Sequence, residues 1–87
     1  MIYQRNVAME YTELDESCVV VFDSETHYTH MLDNESSDII RLLKEPHKLE
    51  TIVLKISEIY EASTETLKTD IEEFINELIE KRVVLVV

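Results

Sequence analysis

Residues 7–14 alternate. Val7, Met9 and Tyr11 fall on one side and Ala8, Glu10 and Thr12 on the other, the two-residue period of a half-buried strand. Cys18-Val19-Val20-Val21-Phe22 follows, between the turn formers Asp15-Glu16-Ser17 and Asp23-Ser24-Glu25. A continuous apolar, β-branched run bounded in this way predicts a central strand covered on both faces. Residues 26–32, including His27-Tyr28-Thr29-His30-Met31-Leu32, give a third strand that runs straight into Asp33-Asn34. The connections are short, so the three strands form an antiparallel meander. The third strand is then an outer one unless another segment pairs with it.

After Leu32 the period lengthens. Ser36, Ile39, Ile40 and Leu43 recur at helical spacing, with Asp33 or Asn34 placed to cap the helix, Glu35 and Asp38 at its positive end, and Pro46 to stop it. Leu49, Ile52, Val53, Ile56 and Ile59/Tyr60 predict a second helix over 49–60. Ser63 is a good N-cap for a third helix over 64–81. Leu67, Ile71, Phe74, Ile75, Leu78 and Ile79 are its apolar positions, and Glu65, Glu72, Glu73, Glu77 and Glu80 its outer face. Residues 83–87 are Val-Val-Leu-Val-Val, a closing strand that packs on the core or, as the alternative, makes a dimer contact. The order describes an α+β domain: a three-stranded antiparallel sheet, three helices and a short C-terminal strand, similar to a winged helix-turn-helix.

Composition narrows the function. With 87 residues the chain is one domain, 1–87, and 45% apolar residues suffice for one modest core. No apolar run is long enough to span a bilayer, and Met1 to Arg5 do not open a signal peptide, so a cytoplasmic protein is expected. Nineteen acids against eight bases leave a net charge of −11. Such a chain repels nucleic-acid phosphates and anionic membranes, and a basic or apolar polypeptide partner suits it better. Glycine is absent, which excludes phosphate-cradling loops and Gly-x-Ser-x-Gly nucleophile elbows. It also throws every turn onto Asp, Asn, Ser or longer loops.

Catalytic equipment is missing. Cys18, the one cysteine, lies inside an apolar run and reads as a buried small hydrophobe. His27 and His30 stand three apart on a strand, which turns them to opposite faces and spoils them as a metal pair, with no third ligand at a familiar spacing. His47 follows Pro46 in a polar loop and is expected to be solvent-exposed. The carboxylates lie on helix faces with no apolar cleft to tune them. No enzyme, metal or cofactor is expected.

The segment Leu32-Asp33-Asn34-Glu35-Ser36-Ser37-Asp38-Ile39-Ile40-Arg41-Leu42-Leu43 resembles the L-N-x-T-A-A-x-I-W-x-L-L stretch of the PqqD-like family, which follows a short aromatic-bearing strand, here around Tyr28. Leu49 to Tyr60 resembles that family's second helix, and Asp70-Ile71-Glu72-Glu73-Phe74-Ile75-Asn76-Glu77-Leu78 its D-v-x-x-F-l-x-x-L helix. The resemblance runs from about residue 7 to 87. It departs where Ser36-Ser37 replace alanines, Asp33 replaces asparagine, and Lys81-Arg82 stand where the family commonly has a glycine before the last strand. The resemblance implies a recognition element for ribosomally made, post-translationally modified peptides. Such elements bind a precursor's leader as an added strand on the third strand, beside the third helix. They present it to a modifying enzyme such as a leader protease, a cyclase or a radical-SAM protein. Lasso peptides, thioether-bridged peptides and a quinone cofactor are the product classes it brings in.

The edge formed by Thr26, His27, Tyr28, Thr29, His30 and Met31 is therefore the expected peptide-binding strand, since an outer strand offers unpaired N–H and C=O groups. On the third helix, Leu67 and Ile71 divide between core and groove. Phe74 and Ile75 are expected at the margin of the apolar stripe as the peptide pocket, and Asp70 beside them as a partner for a basic leader side chain. The protein is expected to be a monomer or homodimer. A winged-helix regulator of transcription and a structural homodimer subunit are the competing readings; the acidic outer face of the third helix speaks against DNA.

Overall fold

The structure, a computed structural model, describes all 87 residues. The meander forms as expected, with shifted ends: β2 (Glu10–Asp15), β3 (Cys18–Phe22) and β4 (Thr29–Asp33) pair antiparallel in the order β2-β3-β4. Ahead of it lies β1 (Ile2–Arg5), which the periodicity does not announce. β1 joins β5 (His47–Lys48) and β6 (Val84–Val86) in a second antiparallel sheet of order β5-β1-β6. The helices are α1 (Glu35–Leu42), α2 (Leu49–Tyr60) and α3 (Thr64–Glu80), all where the apolar period puts them. No helix is long and apolar enough to cross a membrane.

Three strand expectations are corrected by local chemistry. The strand expected over 7–14 begins only at Glu10, because Asn6 Oδ1 accepts the Ala8 N–H at 3.0 Å and bends the chain there. Val7 sits on that bend, 86% exposed, and does not share the buried side with Met9. β3 is covered on one face: Val19 and Val21 are buried, whereas Cys18, Val20 and Phe22 are only half-buried. His47 is not in an exposed loop; it is half-buried in β5, opposite Tyr3.

Caps also differ from expectation. Asn34 and Ser63 occupy the N-cap positions of α1 and α3, but neither side chain caps. The Asn34 backbone (φ 53°, ψ −123°) is not the extended conformation that aims a side chain at the first helical turn. Ser37 compensates. It is fully buried, and its hydroxyl donates to Asn34 O at 2.7 Å, so the polar replacement for alanine is satisfied.

A glycine-free chain must place other residues at positive φ, and here they are His27, Asn34, Glu61 and Arg82. Arg82 (φ 64°) ends α3 in a Schellman turn: Val83 N–H donates to Leu78 O at 2.9 Å and Arg82 N–H to Ile79 O at 3.0 Å. This is the position where the resembled family commonly has glycine. Two contacts lock the turn to the first sheet junction. Asn6 Nδ2 donates to Arg82 O at 2.9 Å, and Asn6 N–H to Val83 O at 2.8 Å. The Tyr11 hydroxyl bridges Asn6 O and Val83 O at 2.8 and 3.1 Å, and burial raises its pKa to about 12.

Arg41 on α1 pins the β2–β3 hairpin. Its guanidinium donates to the carbonyls of Asp15 (2.7 Å) and Glu16 (2.8 Å) and to Glu13 Oε1 (2.6 Å), and reaches Asp38 at 3.3 Å. The Glu13 carboxylate, with Asp38 behind it, raises the Arg41 pKa further. The core lies between the two sheets and the helices, and includes Ile40, Leu43, Ile52, Ile56, Leu78 and Val84.

Candidate peptide-binding site

β4 is an edge strand: β3 pairs with one side of it and nothing pairs with the other. The phase of its ladder follows from the two ends. Asp23 N–H donates to Tyr28 O at 2.9 Å and Asn34 N–H to Ser17 O at 2.7 Å. Both are hydrogen-bonded pairs of one register, in which Phe22 faces Thr29, Val21 faces His30, Val20 faces Met31 and Val19 faces Leu32. Hydrogen-bonded pairs alternate with open ones in an antiparallel ladder. His30 and Leu32 therefore bond inward to β3, and Thr29, Met31 and Asp33 turn their N–H and C=O groups to the open side.

The strand expected over 26–32 starts late, at Thr29. Asp23 ends the preceding strand by folding the chain back: its Oδ1 accepts the Glu25 N–H at 2.9 Å and its C=O the His27 N–H at 2.8 Å. The Glu25 N–H, with the hydroxyl and N–H of Thr26, holds the Asp23 carboxyl below the usual carboxylate range. Thr26, His27 and Tyr28 are consequently loop residues, with His27 at φ 63°. The two histidines take different neighbours: His27 meets Phe22 edge-on, and His30 stacks on Tyr28 with centroids 6.3 Å apart.

Beside α3 the surface sinks into two hollows, one facing the start of β4 and one facing α1. One, of about 360 Å³, lies at the Thr29 end, where Thr26, Tyr28 and His30 face Glu80, Lys81 and Arg82 across Asp23. The other, of about 190 Å³, lies at the far end, where Ile71, Phe74 and Asp70 of α3 meet Glu35, Ser36 and Ile39 of α1. Phe74 is half-buried and Asp70 exposed, as expected of margin positions. Ile75 is not at the margin. It is 1% exposed and, with Leu67, fills the core. On the helical wheel Ile75 lies inside the stripe, between Ile71 and the α2-facing side, whereas Phe74 lies at its opposite edge.

The structure thus places Thr26, Tyr28 and His30 at one hollow and Asp70, Ile71 and Phe74 at the other; Thr29 and Met31 line neither, and Leu67, Ile75 and His27 lie outside both. Sequence reasoning missed the contribution of α1, namely Glu35, Ser36 and Ile39, and that of the turn after α3. Glu35 was legible only as a charge at a helix N-terminus. A separate hollow of about 350 Å³, between α2 and the start of α3 at Val53, Leu54 and Lys68, lies apart from β4.

Fold and site define a small α+β domain that keeps one sheet edge open beside a helix. A family model described as coenzyme PQQ synthesis protein D (PqqD) matches residues 18–84. The chain belongs to the PqqD family. Nothing among curated proteins matches it. Among solved structures it is similar to the chain in "TbiB1 in Complex with the TbiA(beta) Leader Peptide", with a TM-score of 0.84 and 26% identity over 93% of each chain. That similarity covers more of the chain than the family match over residues 18–84 does.

Proposed function

We propose that this chain binds the leader region of a ribosomally synthesised precursor peptide, without chemistry of its own, and holds it for a modifying enzyme such as a leader protease or a radical-SAM protein. The observation that carries this is the free side of β4: Thr29, Met31 and Asp33 present backbone donors and acceptors in ladder register, with one hollow at Tyr28 and His30 and another, holding Ile39, Ile71 and Phe74, past the end of the strand. A leader in extended conformation satisfies those groups as an added strand, and side chains of alternate residues drop toward α3. Similarity to the structure of TbiB1 in complex with the TbiA(beta) leader peptide supports the same reading. The strand adds to the sheet at a ladder already uncovered, so no rearrangement of the core is required.

The test is a nuclear magnetic resonance titration of the labelled protein with a synthetic leader from a precursor gene adjoining its own. The amides of Thr29, Met31 and Asp33 should shift and become protected from exchange, while those of Tyr11 and Leu85 stay in place. Saturable binding that leaves the β4 amides unmoved would remove the proposal.

A further inference from the structure

The groove is chemically different at its two ends. At the Thr29 end both signs are present, Asp23 and Glu80 against Lys81 and Arg82. At the Asp33 end Glu35 and Asp70 stand over Ile39, Ile71 and Phe74, and no cation lines the hollow. Neither carboxylate is engaged within the protein: the ion pairs join Arg41 to Glu13 and Asp38, and Arg82 to Glu25. A volume of about 190 Å³ is below the roughly 300 Å³ at which small-molecule pockets begin, so this hollow suits one side chain.

Spacing ties the two features together. Asp70 and Phe74 are one helical turn apart, about 6 Å along α3 at 1.5 Å per residue. Side chains on one face of an extended strand repeat every second residue, about 6.8 Å. Arg82, past the end of α3, pairs with Glu25 ahead of β4, and Asp70 shares a hollow with Glu35 just after β4, so α3 runs alongside the strand. A strand lying on β4 with one side chain over Phe74 therefore brings its next side chain on that face to Asp70 and Glu35. We infer, resting on the leader-binding reading above, that the peptide this groove takes carries a lysine or arginine two residues away from a bulky apolar residue. The cation pairs with Glu35 and Asp70, and the apolar side chain fills the hollow over Ile39, Ile71 and Phe74. The occupant is thus a basic-x-apolar strand, matched in charge to the end of the groove that has none of its own cations.

A phage-displayed library of random twelve-residue peptides, selected on the intact protein, tests this without knowledge of the natural leader. Selected peptides should be enriched in Lys or Arg at two residues from Leu, Ile, Phe or Tyr. Replacing that cation by glutamine should weaken binding about two- to fivefold, as befits a pair at a solvent-exposed rim. Selection on Asp70→Lys should abolish the enrichment. Glu10→Lys, on the far edge of the same sheet, makes the same change in net charge and should leave it intact. Peptides that shift the Thr29 and Met31 amides but show no such spacing, or lose it equally with Glu10→Lys, would overturn the inference and leave β4 augmentation standing. Peptides that bind without shifting those amides would overturn both.

Discussion

Replacing Thr29 by proline removes one N–H from the outer side of β4 and nothing from its inner side. Thr29 faces Phe22 in an open pair of the ladder, so its N–H points away from β3, and its side chain is exposed. Proline is tolerated on an edge strand when the lost donor faces outward. The domain should therefore keep its melting temperature to within a few degrees. A bound leader loses one main-chain hydrogen bond, a net contribution of about 0.5–1.5 kcal/mol, which corresponds to a dissociation constant raised about two- to twelvefold. The pyrrolidine ring also occupies space that the added strand needs, which places the expected effect in the upper part of that range. His30→Pro is the matched contrast. His30 faces Val21 in a hydrogen-bonded pair, so this substitution breaks the β3–β4 ladder and should unfold or severely destabilise the domain. Calorimetry with the cognate leader and thermal circular dichroism read both effects. Unchanged leader affinity in a folded Thr29→Pro protein would refute augmentation at this edge, and a stable His30→Pro protein would refute the ladder phase.

Arg82→Gly should stabilise the protein by about 0.5–1 kcal/mol, since glycine adopts the left-handed conformation of the Schellman turn without a Cβ penalty; the lost pair with Glu25 is exposed and worth little. Chemical denaturation with an unchanged slope reads the gain, and a loss of stability would show that Arg82 contributes more through its side chain than its backbone costs. Tyr11 and Tyr60 should each titrate near pH 12, Tyr11 because of burial and Tyr60 chiefly because its hydroxyl donates to Asp38. The phenols have higher pKa values folded than unfolded, so their contribution to stability is complete below about pH 10 and is lost as pH rises through about 12. Asp15, whose carboxylate accepts the Ser17 N–H and hydroxyl, and Asp23 behave oppositely: their depressed pKa values keep their contribution above the usual carboxylate range and lose it as pH falls below that range. Spectrophotometric titration and a pH series of melting curves check both signs.

How far the chain could be read in advance depended on the range of the interactions that decide each element. The helices were legible because their apolar period is local, and α2 and α3 fall almost where Leu49, Ile56, Leu67 and Leu78 put them. β1 and β5 were not. They are four and two residues long, and each is a strand only because Tyr3 finds both His47 and Val86, partners that no local window contains. The open edge was legible from the meander, but its phase was not. Phase depends on where the strand starts, and the Asp23 turn with His27 at positive φ delays that start to Thr29. At the groove, Asp70 and Phe74 were found from the margin of the α3 stripe. Glu35, Ser36 and Ile39 needed the packing of α1 against α3.

The bounds of β4 also decide where binding energy resides. His27 and Asn34, two of the four residues at positive φ, bracket the strand, and a non-glycine residue there costs about 1–2 kcal/mol. The strand can neither lengthen nor slip without moving both. It therefore offers three outward residues, Thr29, Met31 and Asp33, with three donors and three acceptors. At about 0.5–1.5 kcal/mol each, those groups supply roughly 3–9 kcal/mol. Ordering five residues of an unstructured leader costs roughly 5–10 kcal/mol of backbone entropy. The two nearly cancel, so main-chain pairing sets the geometry and contributes little net affinity. The affinity, and with it the choice of peptide, must come from side chains placed in the two hollows. A leader scrambled in sequence but equally extended should accordingly lose nearly all binding.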